Sequence, residues 1–406
     1  MNRIIQLASK DFRAFDWPVK LSALLVVCLA FGVYDFYFDT GAKLNGIIEQ
    51  ALKNPAAYQH HFGAVDLSRV MYGLVAATML YIAGHAYFSY TLMLKKTAPD
   101  ERRKFKAIVL SHALANAIDL IITFFIFSAF GGILYLFSGR YLSLDTAITA
   151  ATENLGALFQ SIPTLIELPY PLGFFAAIVL ADLPQYIKHW LTHQSRFLWY
   201  VVHRIHHTAE LMHPFGIGPA FALDFILRLP IFILTLAATK IFSEQPLFIE
   251  TLVVTFVGVL IEKFNHSSAF YHFAYHNKFV RAISSFYGGG VYHYTHHSAV
   301  EGQEINNIGG MGFLFWDRLF GTFLPPPKDA PPVGLTHQPD IILNPFVLYF
   351  SGIHKIIYEL KNNPPIYWLP ILFGTVHFVP PNTRDTLILG YSKEIKKSTF
   401  QALASS

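Results

Sequence analysis

The chain has 406 residues, of which 53% are hydrophobic, 16% aromatic and only 14% charged. A water-soluble protein carries about a quarter charged residues, so composition argues against a purely soluble globule. Net charge is +4, from 30 Lys+Arg against 26 Asp+Glu, and the basic residues form no long stripe alternating with aromatics, so no nucleic-acid partner is expected.

A helix needs about 20 apolar residues to cross a bilayer, and five or six crossings are expected. They fall at 21–38, 71–94, 108–137, 171–187, 221–242 and 247–264. A Pro-broken apolar piece at 156–168 is expected only to dip into the membrane. The last two spans flank Ser243-Glu244-Gln245-Pro246, a connector short enough to demand a hairpin. Residues 1–20 are polar and charged, with no cleavage site after the first apolar run, so that run reads as an anchor. Residues 366–379 are too short for a span and read as a re-entrant or interfacial helix. The prolines at 325–327 and 331–332 read as the end of the compact part. The fold class expected is all-α: a polytopic membrane helical bundle with a cytoplasmic helical cap.

Orientation follows from Lys and Arg beside the spans. Lys95, Lys96, Arg102, Arg103, Lys104 and Lys106 lie between the second and third spans, whereas 138–170 holds only Arg140. The first of these connectors is therefore expected in the cytoplasm. Counting onward brings 188–220 and 265–345 together on that same face.

Those two stretches hold most of the histidines. Of 19 in the chain, 12 fall between His189 and His297. They read His189-Trp-Leu-Thr-His193, then His203-Arg-Ile-His206-His207, and after the hairpin His293-Tyr-Thr-His296-His297. Spacings of three and four put imidazoles on one helical face, where two can grip one ion. Adjacent histidines point about 100° apart on a helix, so each HxxHH triplet can feed two neighbouring metals. At this histidine frequency HxxHH arises by chance in roughly one chain of twenty-five, and twice in roughly one of a thousand. The single cysteine, Cys28, excludes a CxxC zinc site and a four-cysteine iron–sulfur cluster. Eight imidazoles suit a metal of borderline hardness: iron, with zinc or manganese open on ligand type alone.

With these boxes, the approach Asp182-Leu-Pro-Gln-Tyr-Ile-Lys-His189 and the closing Trp316-Asp317-Arg318-Leu319-Phe320-Gly321-Thr322, the sequence resembles the membrane-bound fatty acid hydroxylase and sterol desaturase superfamily. The resemblance covers about 170–325. It implies a centre of two iron ions that uses O₂ and two electrons to attack an unactivated C–H bond of a membrane lipid. It implies His189, His193, His203, His206, His207, His293, His296 and His297 as ligands. A further ligand is expected just after the hairpin, where His266 stands in place and His272 and His276 compete for the role. Trp190, where the family often has Arg, and the segment after His207, which lacks a downstream arginine, depart from the family pattern and bear on substrate rather than metal. The division expected is 1–170 for the N-terminal spans, 171–325 for the catalytic domain and 326–406 for the C-terminal region.

Metal-bound imidazoles need their outer nitrogen held by an acceptor. Asp182 and Glu210 are the first candidates for that role, with Glu301, Glu304, Asn306 and Asn307 at similar range. Asp317 is expected to pair with an arginine or cap a helix. The sequence contains no HPGG haem loop, no GxGxxG flavin fingerprint and no iron–sulfur cysteines. Electrons are therefore expected from a separate protein of cytochrome b5, ferredoxin or reductase type docking on the cytoplasmic face. The reaction expected is hydroxylation of a fatty acyl, sterol-like or ether lipid. The alternatives are desaturation or demethylation within the same superfamily, and a non-catalytic metal-binding membrane protein.

Overall fold

The computed structural model describes helical residues within 76–100, then 102–138, 161–244, 266–335 and 343–383, with short breaks at 210, 214–215, 217, 267, 301–302, 304 and 310–311. The expected spans at 21–38 and 247–264, and most of 71–94, lie outside the described residues. Among the described residues the regular elements are helical, as expected, with two isolated antiparallel bridges, Ser195 to Thr375 and Ser298 to Val333.

Helix α1 (Arg102–Ser138) contains the expected third span. Its portion Arg102–Ile126 is the one helix, among the described residues, long and apolar enough to cross a membrane. Leu110, Leu120 and Phe124 face outward, exposed by 60%, 69% and 67%, so much of its apolar surface is unpaired among the described residues. Helix α2 (Tyr170–Gln194) opens on Pro171, where the missing N–H costs nothing. Residues 195–197 lead into a π-helical turn (Leu198–His203) and the short α3 (Arg204–His207).

Helix α4 (Phe221–Phe242) packs along α2. The backbones come close enough at Gly173 that a Cβ there would sit 3.0 Å from the Phe242 carbonyl oxygen. Leu165 and Ile166 N–H donate to Ile241, and Leu168 N–H to Phe242. Residues 165–168 of the piece expected to dip into the membrane thus lie outside any helix and cap the end of α4. Helices α2 and α4 occupy the fourth and fifth expected spans. In α4 the run is broken by Asp224, Arg228 and Lys240; Asp224 pairs with Arg228 and with Lys188 of α2.

After residue 265, α5 (Tyr271–His276), α6 (Lys278–Tyr287) and α7 (Val291–His296) follow in short steps. Asn277 caps α6 by accepting from Phe279 and Val280 N–H, and Gly288 ends it at φ +65°, a conformation that favours glycine. Helix α8 (Phe315–Phe320) precedes an extended run back along α7. There Ala299 N–H donates to Pro332 and Gly334 N–H to His297. The proline cluster therefore does not end the compact part; it lies against the residues that follow α7.

The chain then enters α9 (Pro345–Asn362) and α10 (Trp368–Phe373). Helix α9, which the apolar pattern did not announce, packs on α1 and α3 through Ala115, Ile205, Val347 and Leu348. Tyr349 also donates its hydroxyl to Asp119 at 2.6 Å. The expected short helix near 366–379 is α10, with Leu369 and Phe373 largely exposed.

Candidate metal centre

Three elements converge to build the site. Helix α2 ends on His189 and His193, one turn apart. The π turn pairs Arg204 N–H with the Trp199 carbonyl. It inserts one residue relative to an α-helix and so turns the side chains that follow by about 100°. His203 lies at its end, with His206 and His207 in α3. Helix α7 delivers His293 and His296, with His297 just beyond. All eight of these histidines are buried.

The imidazoles sort into two groups of four. His189, His193, His203 and His296 form one; His206, His266, His293 and His297 form the other; within each, the ligand atoms lie within 4.8 Å of one another. Of the two adjacent pairs, His296-His297 divides between the groups as the spacing suggested, whereas His206 joins the second group and His207 joins neither. Each group draws on residues before and after the 245–265 segment. The triplets meet directly, with His206 and His297 ring centroids 4.5 Å apart.

Within the groups, ring nitrogens face ring nitrogens. The Nε2–Nε2 separations are 3.2 Å for His189–His203, 3.2 Å for His206–His266, 2.8 Å for His266–His293 and 3.2 Å for His293–His297. Two nitrogens bound to one metal at about 2.1 Å would stand about 3 Å apart, so these separations fit histidines that would share an ion. His193 Nε2 and His296 Nε2 are buried and have no hydrogen-bond partner, which costs about 1–3 kcal/mol each unless something else satisfies them. A metal ion does so, and a donor set of nitrogens fits iron or zinc.

Tautomers are fixed from outside. His189 Nδ1 lies 2.5 Å from the Ile308 carbonyl oxygen, and His296 Nδ1 lies 2.7 Å from that of Asn306. A carbonyl only accepts, so each Nδ1 carries the proton and each Nε2 turns a lone pair inward. Burial holds His189, His193, His203, His207, His293 and His297 well below the ordinary imidazole range, reinforced by their histidine neighbours. His296 is pushed down to about 4, again first by burial. Near neutral pH these rings are uncharged, as ligation requires.

One loop supplies both acceptor carbonyls, and Asp317 holds it. Its carboxylate, fully buried, accepts from Ile308 N–H, Gly309 N–H and the Thr322 hydroxyl at 2.6, 2.8 and 2.6 Å. The expected pairing with arginine is not formed: Arg318 instead donates to the Leu314 carbonyl and Ser285 and lies over Phe323. Asn307, at φ +45°, donates to the Tyr292 and Leu324 carbonyls.

Asp182 does not hold a histidine. Seven residues, about 10 Å, separate it from His189 along α2, and its carboxylate accepts from Phe313 N–H at 2.7 Å instead. It thus braces the loop that carries Ile308. Asn306 serves through its backbone carbonyl rather than its side chain. Glu210, Glu301 and Glu304 lie outside the described residues.

Two expected ligands stand in neither group. His207 sits between them, its Nε2 3.1 Å from His203 Nε2 and its ring stacked on His297 at 4.2 Å. His272 lies with its ring 4.2 Å from that of His276, because residues four apart on α5 share a face that the structure does not bring into either group. His266, upstream of α5, does join the second group.

Three features were not read from the sequence. Ile308 and Asn306 act through the backbone, which leaves no side-chain signature. Trp199 packs its ring 5.1 Å from His193 and 5.4 Å from His207, walling one side of the centre. His112 of α1 meets His213 at 2.8 Å, both buried, with rings stacked; this pair ties α1 to the loop after α3.

The fold and site together define a helical protein with two adjacent four-histidine groups able to hold metal. Residues 174–322 match the fatty acid hydroxylase family. The sphingolipid C4-hydroxylase sur2 of Schizosaccharomyces pombe is 25% identical over 186 residues, 44% of this chain and 59% of the relative. The chain thus spans less than two thirds of that relative's length. No solved structure matches.

Proposed function

We propose that the chain is a membrane-bound oxygenase that hydroxylates a C–H bond of a lipid. R–H, O₂, two electrons and two protons give R–OH and water, and a separate protein supplies the electrons on the cytoplasmic face. Two iron ions held in the histidine groups would supply the reduction of O₂ and the oxidation of the C–H bond.

The observation that carries this reading is the pair of juxtaposed four-histidine groups, with unpartnered buried nitrogens on His193 and His296. The first group would hold one ion through His189, His193, His203 and His296; the second would hold the other through His206, His266, His293 and His297. His207 stands within reach of both. The Ile308 and Asn306 carbonyls keep the His189 and His296 lone pairs directed inward. Burial and the Trp199 ring exclude water from the first group, which protects a reactive centre from side reactions.

A lipid fits on physical grounds. The outward apolar face of α1 suits a bilayer, and α6 presents Phe279, Ile283 and Phe286 at helical spacing, exposed by 73%, 50% and 55%. Such a stripe suits the headgroup boundary. We read the multi-pass topology, and the division into an N-terminal bundle, a central catalytic part and a C-terminal region, as part of the same proposal. The likeness to a sphingolipid C4-hydroxylase makes sphingolipids the first substrates to assay.

The test is lipid mass spectrometry of cells with and without the gene, grown under ¹⁸O₂. A lipid that gains one labelled oxygen only when the gene is present supports hydroxylation. Loss of two hydrogens without label replaces it with desaturation, and an unchanged lipidome overturns both.

A further inference from the structure

The family match stops at residue 322, yet the chain beyond it returns to the stretch that carries the first two histidine boxes. Between α2 and the π turn, residues 194–196 pair with 374–376: Arg196 N–H donates to Gly374 at 3.0 Å, Val376 N–H to Gln194 at 2.9 Å, and Ser195 bridges Thr375. The Arg196 side chain then enters the C-terminal region. It donates to the Ile371 and Phe378 carbonyls and to Glu359 of α9. Glu359 is fully buried and also takes Lys355 at 3.0 Å and the Thr383 hydroxyl at 2.5 Å.

Next along the chain, the Arg196 guanidinium and the Lys355 ammonium both lie against the Tyr200 ring, at 5.2 and 5.7 Å. Gly352 of α9 presses on the Tyr200 backbone so closely that any Cβ would run into its carbonyl. Arg204, at the start of α3, donates to Ser351 at 2.6 Å.

Burying a cation pair around one carboxylate is a costly way to gain stability, since desolvation consumes much of the attraction. What such a cluster does well is fix one geometry. Here it fixes the backbone from 194 to 204, the connection between His193 and His203. We propose that residues 345–383 are a clamp that positions the first histidine group, with Arg196, Glu359 and Gly352 as its positioning residues. Of that group's four members, His203 sits on the gripped stretch, His193 immediately precedes it and His189 lies one turn earlier on α2; of the second group only His206 lies near it.

The proposal rests on the two-site reading and predicts an asymmetry that general destabilisation does not. The test titrates Co²⁺ into the metal-stripped full chain in nanodiscs, following the visible bands, with thermal unfolding in parallel. Wild type is expected to take two equivalents. Gly352→Ala, which must push α9 off the π turn, is expected to take one equivalent at wild-type affinity and the other at least tenfold more weakly. Should that variant fail to fold, Arg196→Lys keeps the charge but loses the forked contacts, and the same split is expected.

Two equivalents at wild-type affinity in a folded variant overturn the clamp. So does equal weakening of both, which marks a structural role only. Fewer than two equivalents in wild type overturn the two-site reading, and the clamp with it.

Discussion

Asp317→Asn tests the orienting loop without touching a ligand. The carboxylate has three donors on two oxygens: Ile308 N–H and the Thr322 hydroxyl on Oδ1, Gly309 N–H on Oδ2. Burial raises its pKa while the Thr322 hydroxyl and the Gly309 and Ile308 N–H groups pull it back. An asparagine in the same place keeps one acceptor oxygen. Set to preserve the Ile308 and Thr322 bonds, it turns its NH₂ onto the Gly309 N–H, donor against donor. A hydrogen bond to a charged group contributes about 1.5–3 kcal/mol and an orphaned buried donor costs about 1–3 kcal/mol. Because these overlap at one contact, the expected loss is about 2–4 kcal/mol. The Ile308 and Asn306 carbonyls shift with the loop, and loss of such an outer hydrogen bond weakens metal binding by about 10–100-fold. Chelator competition on the loaded chain, with thermal unfolding of the metal-free chain, reads both numbers. A variant that unfolds at the wild-type temperature and releases metal at the wild-type chelator concentration refutes the role given to Asp317.

Replacing one ligand from each group, His296→Ala or His206→Ala, is expected to abolish lipid hydroxylation and halve bound iron measured by mass spectrometry; wild-type turnover in either rules out the assignment. For the metal-free chain, His296 at about 4 in the folded state against 6.5 when unfolded means that the unfolded chain binds the proton first. Stability is therefore full above 6.5 and lost as pH falls toward 4, by about 3 kcal/mol for this residue alone; a melting temperature flat across that window contradicts it. His112→Leu and His213→Leu each break the 2.8 Å contact between two buried, stacked rings, and a thermal double-mutant cycle is expected to show that the two losses are not additive; additive losses contradict the pairing. With Cys28→Ser as background, Phe279→Cys carrying an environment-sensitive dye is expected to emit as in a headgroup region and to be quenched by spin-labelled lipid in nanodiscs; a fully aqueous spectrum removes α6 from the membrane surface.

The two histidine groups were legible because ligation demands a residue type at a spacing, and both survive in a one-dimensional string. The adjacent pair His296-His297 points apart and divides between the two groups, as helical geometry suggests, whereas of His206-His207 only His206 joins one. His272 shows the limit: its spacing to His276 is as good as that of His293 to His297, but spacing makes a pair, not a site. What decides is the direction of the helix, and α5 turns its pair away from both groups. Asp182 was misplaced for a similar reason. Its singularity in an apolar stretch marked it as important, while its partner, a backbone N–H at 313, carries no side-chain identity to be recognised.

The helices of the C-terminal region were harder still. The apolar positions of α9 that meet α1, Val347 and Leu348, look like any amphipathic surface. The contacts that matter, Glu359 and Gly352, bind a stretch some 150 residues earlier. Charged residues on a helix are normally read as solvated, and nothing local distinguishes Glu359 from Lys361. The distinction appears only when Arg196 arrives across the fold. A metal site built from short helical pieces needs this kind of support, because each piece is too short to hold its own geometry: α3 has four residues and α7 six, below the length at which a helix is stable alone. Their histidines stay in register because loop 306–309 fixes one side and the C-terminal region grips the other. The recognisable boxes specify which atoms coordinate, while residues outside them set where those atoms stand.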